Sequence, residues 1–133
     1  MIDIEAAVFN RVAEKFDIAY PNGTRVSEPI DAPASFPCMS LVEADNATYT
    51  GSLDAEMTEH DSWLMYELNV YSNLVSGAKQ QCKEIIALVD DELLAMGFTR
   101  TFCHQTKNAD TKIYRMTARY RAVISEKLRI YRK

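Results

Sequence analysis

Arg115, Arg119 and Arg121 share one parity within residues 110–124, so an extended chain there sets three guanidinium groups on the same side. Guanidinium forks grip carboxylates and phosphates, which makes anion recognition, not bond breaking, the chemistry this spacing suits. A complementary stretch lies earlier. Residues 45–61 hold Asp45, Asp54, Glu56, Glu59 and Asp61 with no Lys or Arg among them. A connection of that length is uncommon in a compact domain and is usually a working loop.

Catalytic spacings are absent. His60 and His104 are the only histidines, and neither sits in an H-E-x-x-H or H-x-E pattern that would hold zinc. Cys103 precedes His104 directly, but neighbours on a strand point opposite ways, whereas a nucleophile and its base need a shared side. Asp90, Asp91 and Glu92 diverge by about 100° per residue on a helix and are expected on its solvated face rather than around a cation. Four glycines build neither G-x-x-x-x-G-K-[ST] nor G-x-G-x-x-G. Asn46-Ala-Thr48 matches a glycosylation acceptor without a secretion signal beside it. The expectation is therefore no enzyme, no metal and no cofactor.

At 133 residues the chain fits one domain, residues 1–133, able to bury roughly two-thirds of the surface its unfolded form exposes. A composition 47% hydrophobic and 26% charged is that of a globular protein, not of a disordered or collagenous one. No signal peptide and no membrane span is expected. Cys38, Cys82 and Cys103 are odd in number and widely spaced, which suits reduced thiols better than a disulfide framework. The net charge of −4 is unevenly spread: residues 112–133 carry eight Lys or Arg against a single acid, Glu126. Such polarity fits a nucleic-acid face, a neighbouring subunit's acidic face or solvated strands.

The elements that must position these groups follow from periodicity. Val8, Phe9, Val12 and Phe16 form one stripe on a helix over 3 to about 19, with Asp3 as its cap and Tyr20-Pro-Asn-Gly23 as its stop. A short strand near 24–28 precedes a link broken by Pro29, Pro33 and Pro37. Residues 38–43 read as a strand. So do 62–72, whose even positions Leu64, Tyr66, Leu68 and Val70 should face the core. The strongest helix is 77–96, with Ala78, Cys82, Ile85, Ile86, Val89, Leu93 and Met96 on one face and Gly97 as a left-handed cap. Leu94 falls on the opposite, charged side beside Asp90 and Lys83, a candidate contact with another chain. Strands over 98–105, 110–124 and 128–131 complete the chain. The strand over 110–124 would run about 45 Å with Tyr114, Met116, Ala118, Tyr120, Ala122 and Ile124 on its greasy side. The fold class is α+β: two layers, a mostly antiparallel sheet of five to six strands, two helices on one face. The arginine-bearing face is expected to stay uncovered.

At Ala34-Ser35-Phe36-Pro37, Trp63-Leu-Met-Tyr-Glu-Leu-Asn-Val-Tyr-Ser72, Met96-Gly-Phe-Thr-Arg-Thr101 and Ile113-Tyr-Arg-Met-Thr-Ala-Arg-Tyr-Arg-Ala-Val123, the chain resembles the tail terminator proteins of long-tailed bacteriophages and prophages. These are also filed as minor capsid or tail completion proteins. The resemblance spans nearly the whole length and rests on the order of elements and the Tyr-Arg-Met-x-Ala-Arg-Tyr-Arg strand. It implies a virion protein made in the host cytoplasm that forms a homo-oligomeric, typically hexameric ring. That ring caps the tail tube, stops its polymerisation and meets a head-side connector, with DNA passing through the lumen.

Ring closure needs unlike surfaces on one subunit, and the acidic residues Asp45, Asp54, Glu56, Glu59 and Asp61 with Arg115, Arg119 and Arg121, plus Leu94, are the candidate interface. Three other readings stand beside it. A head completion or neck protein would use a similar small ring. A nucleic-acid-binding module would grip single strands with its cations and Tyr114, Tyr120 and Tyr131, although an acidic pI of about 5.2 and the core-facing parity of these tyrosines oppose it. A small hydrolase or transferase lacks an assembled site.

Overall fold

The computed structural model describes residues 3–30, 33–48, 61–108, 110–125 and 130–131. Its elements run α1 (Glu5–Ala19), β1 (Thr24–Val26), β2 (Cys38–Thr48), β3 (Asp61–Ser72), α2 (Ala78–Met96), β4 (Thr99–Thr106), β5 (Tyr114–Ser125) and β6 (Ile130–Tyr131). The fold is α+β, with both helices packed against a mostly antiparallel sheet of order β1-β2-β3-β5-β4. Only the short β1 runs parallel to its neighbour, β2. β3 occupies one side of β5 out to Ser125, so β6 pairs with Val123 and Ile124 on the other side, beyond the end of β4.

Each helix exists because it has a stripe to bury. α1 places Val8, Val12, Ala13 and Phe16 against the sheet, and α2 places Cys82, Ile85, Ile86, Val89 and Leu93 there. From the sheet, Met39, Leu41, Leu64, Tyr66, Leu68, Val70, Met116, Ala118, Tyr120, Ala122 and Ile124 meet them. Each large apolar side chain so buried contributes about 1.5–3 kcal/mol, which far exceeds what a helix of this length gains from propensity alone. The even-numbered face of β3 is the core face, as its alternation implies.

The helix ends follow local chemistry. α1 begins at Glu5, with Ile4 and not Asp3 in the cap position and no side-chain cap bond from it, although Asp3 Oδ1 accepts from the backbone N–H of Glu5 at 3.1 Å. Gly97, at φ 104°, closes α2: its N–H reaches the Leu94 carbonyl and that of Phe98 reaches the Leu93 carbonyl, both at 3.0 Å, which draws Phe98 into the core against Tyr66. Gly23 is required for space. A Cβ there would meet the Pro37 carbonyl oxygen at 2.8 Å and the Phe16 ring at 2.9 Å.

Several boundaries differ from expectation. β2 continues to Thr48 and β3 starts at Asp61, so Asp45 and Asp61 belong to strands, not to a loop. β5 begins at Tyr114, because residues 110–113 form a turn held by the Ile113 N–H on the Asp110 carbonyl at 3.1 Å and the Lys112 N–H on Asp110 Oδ1 at 3.0 Å. The sheet face opposite the helices is not wholly uncovered: Ser40 Oγ donates to the Glu28 carbonyl and Tyr71 Oη to the Ile30 carbonyl, so the Pro-broken link lies across one end of it. Asp90 departs furthest. It is buried, not solvated, and accepts from Tyr120 Oη at 2.7 Å and Arg100 Nη1 at 2.8 Å. A charged group at a helix–sheet seam is tolerated there because two donors meet it.

Candidate interaction surface

The helix-free face of the sheet is built from the odd positions of β3 and β5. Register puts Trp63 across from Val123, Met65 from Arg121, Glu67 from Arg119, Asn69 from Thr117 and Tyr71 from Arg115. Two bulges then bring in side chains that plain alternation would have sent to the core. An extra residue between Glu43 and Asp45 of β2 sets Asp45 opposite Met65, on the open face. Another between Arg100 and Phe102 of β4 sets Phe102 opposite Arg119.

The result is a ladder of guanidinium groups on aromatic rings. Arg115 lies 5.4 Å from the Tyr71 ring centroid, Arg119 5.5 Å from Phe102 and Arg121 5.5 Å from Trp63. Phe102 in turn stacks on His104, their centroids 4.8 Å apart. Beneath the cations runs a polar chain. Thr106 and Thr117 hydroxyls meet at 2.6 Å, Thr117 donates to Asn69 Oδ1 at 2.6 Å, and Arg115 Nε donates to the same oxygen at 3.0 Å. Asn69 Nδ2 donates to Glu67, whose other oxygen accepts from Arg119. This network holds Arg115 and Arg119 in place, and side chains ordered beforehand lose less conformational freedom on meeting a ligand.

The rungs are not equivalent. Arg119 is held by Glu67 and Arg115 by Asn69, whereas among the described residues no carboxylate lies within ion-pair distance of the exposed Arg121. A groove of about 270 Å³ opens beside it, lined by Asp45, Ala47, Trp63, Leu64, Met65 and Arg121.

Of the residues singled out from sequence, the structure brings together Arg115, Arg119, Arg121 and Asp45. Leu94 is exposed, as expected, but lies on α2, in the layer that covers the other face of the sheet. Asp54, Glu56 and Glu59 lie outside the described residues, as does the side chain of Asp61. Sequence reasoning missed Trp63, Phe102, His104, Glu67 and Asn69. The first, fourth and fifth were legible as the odd face of β3; Phe102 depends on the bulge and was not. It also missed the exposed Leu74 and Val75, which with Phe36, Ile113 and Tyr114 line a groove of about 820 Å³ at the other end of the sheet.

Elsewhere the polar chemistry is structural. Cys38 and Cys82 are buried, and burial pushes their thiols up to about 11 and about 12. Glu43 faces the helices, accepts from Tyr66 Oη at 3.2 Å and has its carboxyl raised by burial. Burial and that carboxylate likewise raise the Tyr66 hydroxyl. Among the described residues no group of three or more His, Cys, Asp or Glu could hold a metal ion, and no helix is long and apolar enough to cross a membrane.

No protein-family model matches the chain and no curated protein is detectably similar to it, so the ladder's geometry is what a functional reading has to stand on.

Proposed function

We propose that this protein is a structural assembly component of the tail terminator kind: a subunit that closes head-to-tail into a ring, probed first by its open sheet face. The observation that carries the reading is the Arg115–Arg119–Arg121 ladder on a face that the helices leave bare, on a chain whose acids concentrate elsewhere. Unlike surfaces on one polypeptide favour heterologous contacts, and heterologous contacts close into rings when the rotation allows. Arginine and aromatic side chains are also the types that dominate binding energy at protein interfaces. In this reading the ring caps the tail tube and presents its far side to a head-side connector, and the chain catalyses nothing.

The test is to add the purified chain to polymerising tail tube protein. Rings by native mass and images, with tubes shortened in proportion to added protein, support the reading. Rings that join heads to tails but leave tube length unchanged would instead identify a neck or head completion protein. A chain that stays monomeric beside tubes of unaltered length sinks both.

One observation favours a second reading. Trp63, Phe102 and His104 interleave with the arginines, as they would on a platform for single-stranded nucleic acid. Against it, Glu67 sits in the middle of the ladder, where it would repel a phosphate, and the Trp63 and Phe102 rings already carry guanidinium groups. A gel shift at low and moderate salt separates the two, because phosphate contacts give a steep salt slope.

A further inference from the structure

We infer that the outer edge of β4 takes up an extended, acidic segment of a partner protein as one more strand of the sheet; this goes beyond the ring reading and stands or falls apart from it. β4 ends the strand order, and among the described residues no strand pairs with its far side, since β6 joins β5 beyond its end. Past the bulge between Arg100 and Phe102, the strand keeps unbroken register over Phe102–Thr106. Alternate residues of such an edge turn their N–H and C=O groups away from the sheet, and an extended backbone is what satisfies a row of them. The usual blocks are missing. Residues 102–106 include no Pro, Lys, Arg, Asp or Glu, and Cys103, His104 and Gln105 are exposed.

Charge says which strand fits. Residues 99–125, which form β4 and β5 with the turn between them, hold six Lys or Arg and a single acid, Asp110. On the helix side of the edge, Arg100 and Cys103 stand opposite Tyr120 and Ala118, and the positive charges of Arg100 and of Lys83 on α2 both bear on the Cys103 thiol. Arg100 is paired with Asp90, whereas among the described residues no carboxylate lies within ion-pair distance of the exposed Lys83. On the other side the edge presents the Phe102–His104 stack. A strand with carboxylates at alternate positions therefore turns its acids toward Lys83 and its remaining side chains, apolar ones, toward that stack. A second copy fits less well. β4 against β4 would set these cations against themselves, and β1, at the opposite end of the strand order, offers three residues that include Arg25.

The probe is a short synthetic peptide of alternating Glu and Val, blocked at both ends and titrated into the full chain, with amide hydrogen exchange read segment by segment. The expected result is saturable binding that slows exchange within residues 102–106 at least tenfold and leaves β1 unchanged. Lys83→Glu should weaken that binding at least fivefold, and a peptide of alternating Lys and Val should bind this variant better than it binds the natural chain. Gain with the reversed peptide excludes simple loss of folding in the variant. Absence of binding overturns the inference, as does equal binding of the two peptides to the natural chain. So does binding that leaves 102–106 unprotected but changes Trp63 emission, which would place the peptide on the arginine face instead. Protection of 102–106 that grows with protein concentration in the absence of peptide would assign the edge to a second copy and overturn it too. Peptide capture on β4 beside tubes of unaltered length would sink the terminator reading alone, and tube shortening without peptide capture would sink this contact alone.

Discussion

Glu67 stands directly across the sheet from Arg119, and one of its carboxylate oxygens accepts from both Nε and Nη2 of that guanidinium at 3.2 Å. The side chains of Arg119 and Glu67 are 41% and 30% exposed, so solvent screens the pair and its coupling should stay at or below about 1 kcal/mol. A double-mutant cycle of Glu67→Ala and Arg119→Ala in urea unfolding measures it. The pairing also decides which arginine tests assembly cleanly. Arg119→Glu would set like charges opposite each other and destabilise the subunit itself, whereas Arg121→Glu should leave the unfolding midpoint nearly unchanged while weakening self-association.

Asp90 links α2 to the sheet through Tyr120 and Arg100. Asp90→Ala leaves the buried Tyr120 hydroxyl without its acceptor, at a cost of about 1–3 kcal/mol. Tyr120→Phe removes the hydroxyl itself and leaves Asp90 with Arg100, so it should cost less. Unfolding midpoints in urea at unchanged slope check the order; a Tyr120→Phe variant weaker than Asp90→Ala would show that the seam is held otherwise.

Burial raises the Glu43 carboxyl above its ordinary value of 4.5, opposed in part by the hydrogen bond from Tyr66. A carboxyl that binds its proton more tightly when folded makes folding more favourable below its unfolded pKa. That benefit is lost as the pH rises through the raised value. Glu43→Gln keeps an acceptor for Tyr66 and removes the charge, so it should stabilise the protein at about pH 7 and confer little advantage at about pH 4. Equal differences at both pH values would contradict the assignment.

Thiol reactivity should divide the cysteines. Cys38 and Cys82 are buried with thiols raised to about 11 and about 12, while Cys103 is exposed on β4 and raised less far, also by burial. Since the thiolate is the reactive form, native protein at about pH 8 should take up one alkyl group, on Cys103, and all three cysteines should react in denaturant. Intact mass reads both states. Rapid native labelling of Cys82 would mean that α2 detaches readily from the sheet.

Much of this architecture is written in local periodicity. The 3.6-residue stripes of Val8–Phe16 and Cys82–Leu93, the alternation of Leu64–Val70 and Met116–Ile124, and Gly97 after the last turn each state a requirement that nearest neighbours impose, and each element formed where its pattern placed it. The shared side of Arg115, Arg119 and Arg121 is of the same kind, since parity along one strand needs no partner. What these arginines touch is a matter of register. Only the pairing of β3 with β5 sets Glu67 against Arg119 and Trp63 beside Arg121, and only the two bulges turn Asp45 and Phe102 onto that face. An inserted residue shifts every later side chain to the other side of a strand, and no local signal announces it, because its cost is settled against the neighbouring strand. Asp90 shows the same division: composition made it a solvated acid, and the approach of Tyr120 and Arg100 from distant strands made it a buried acceptor.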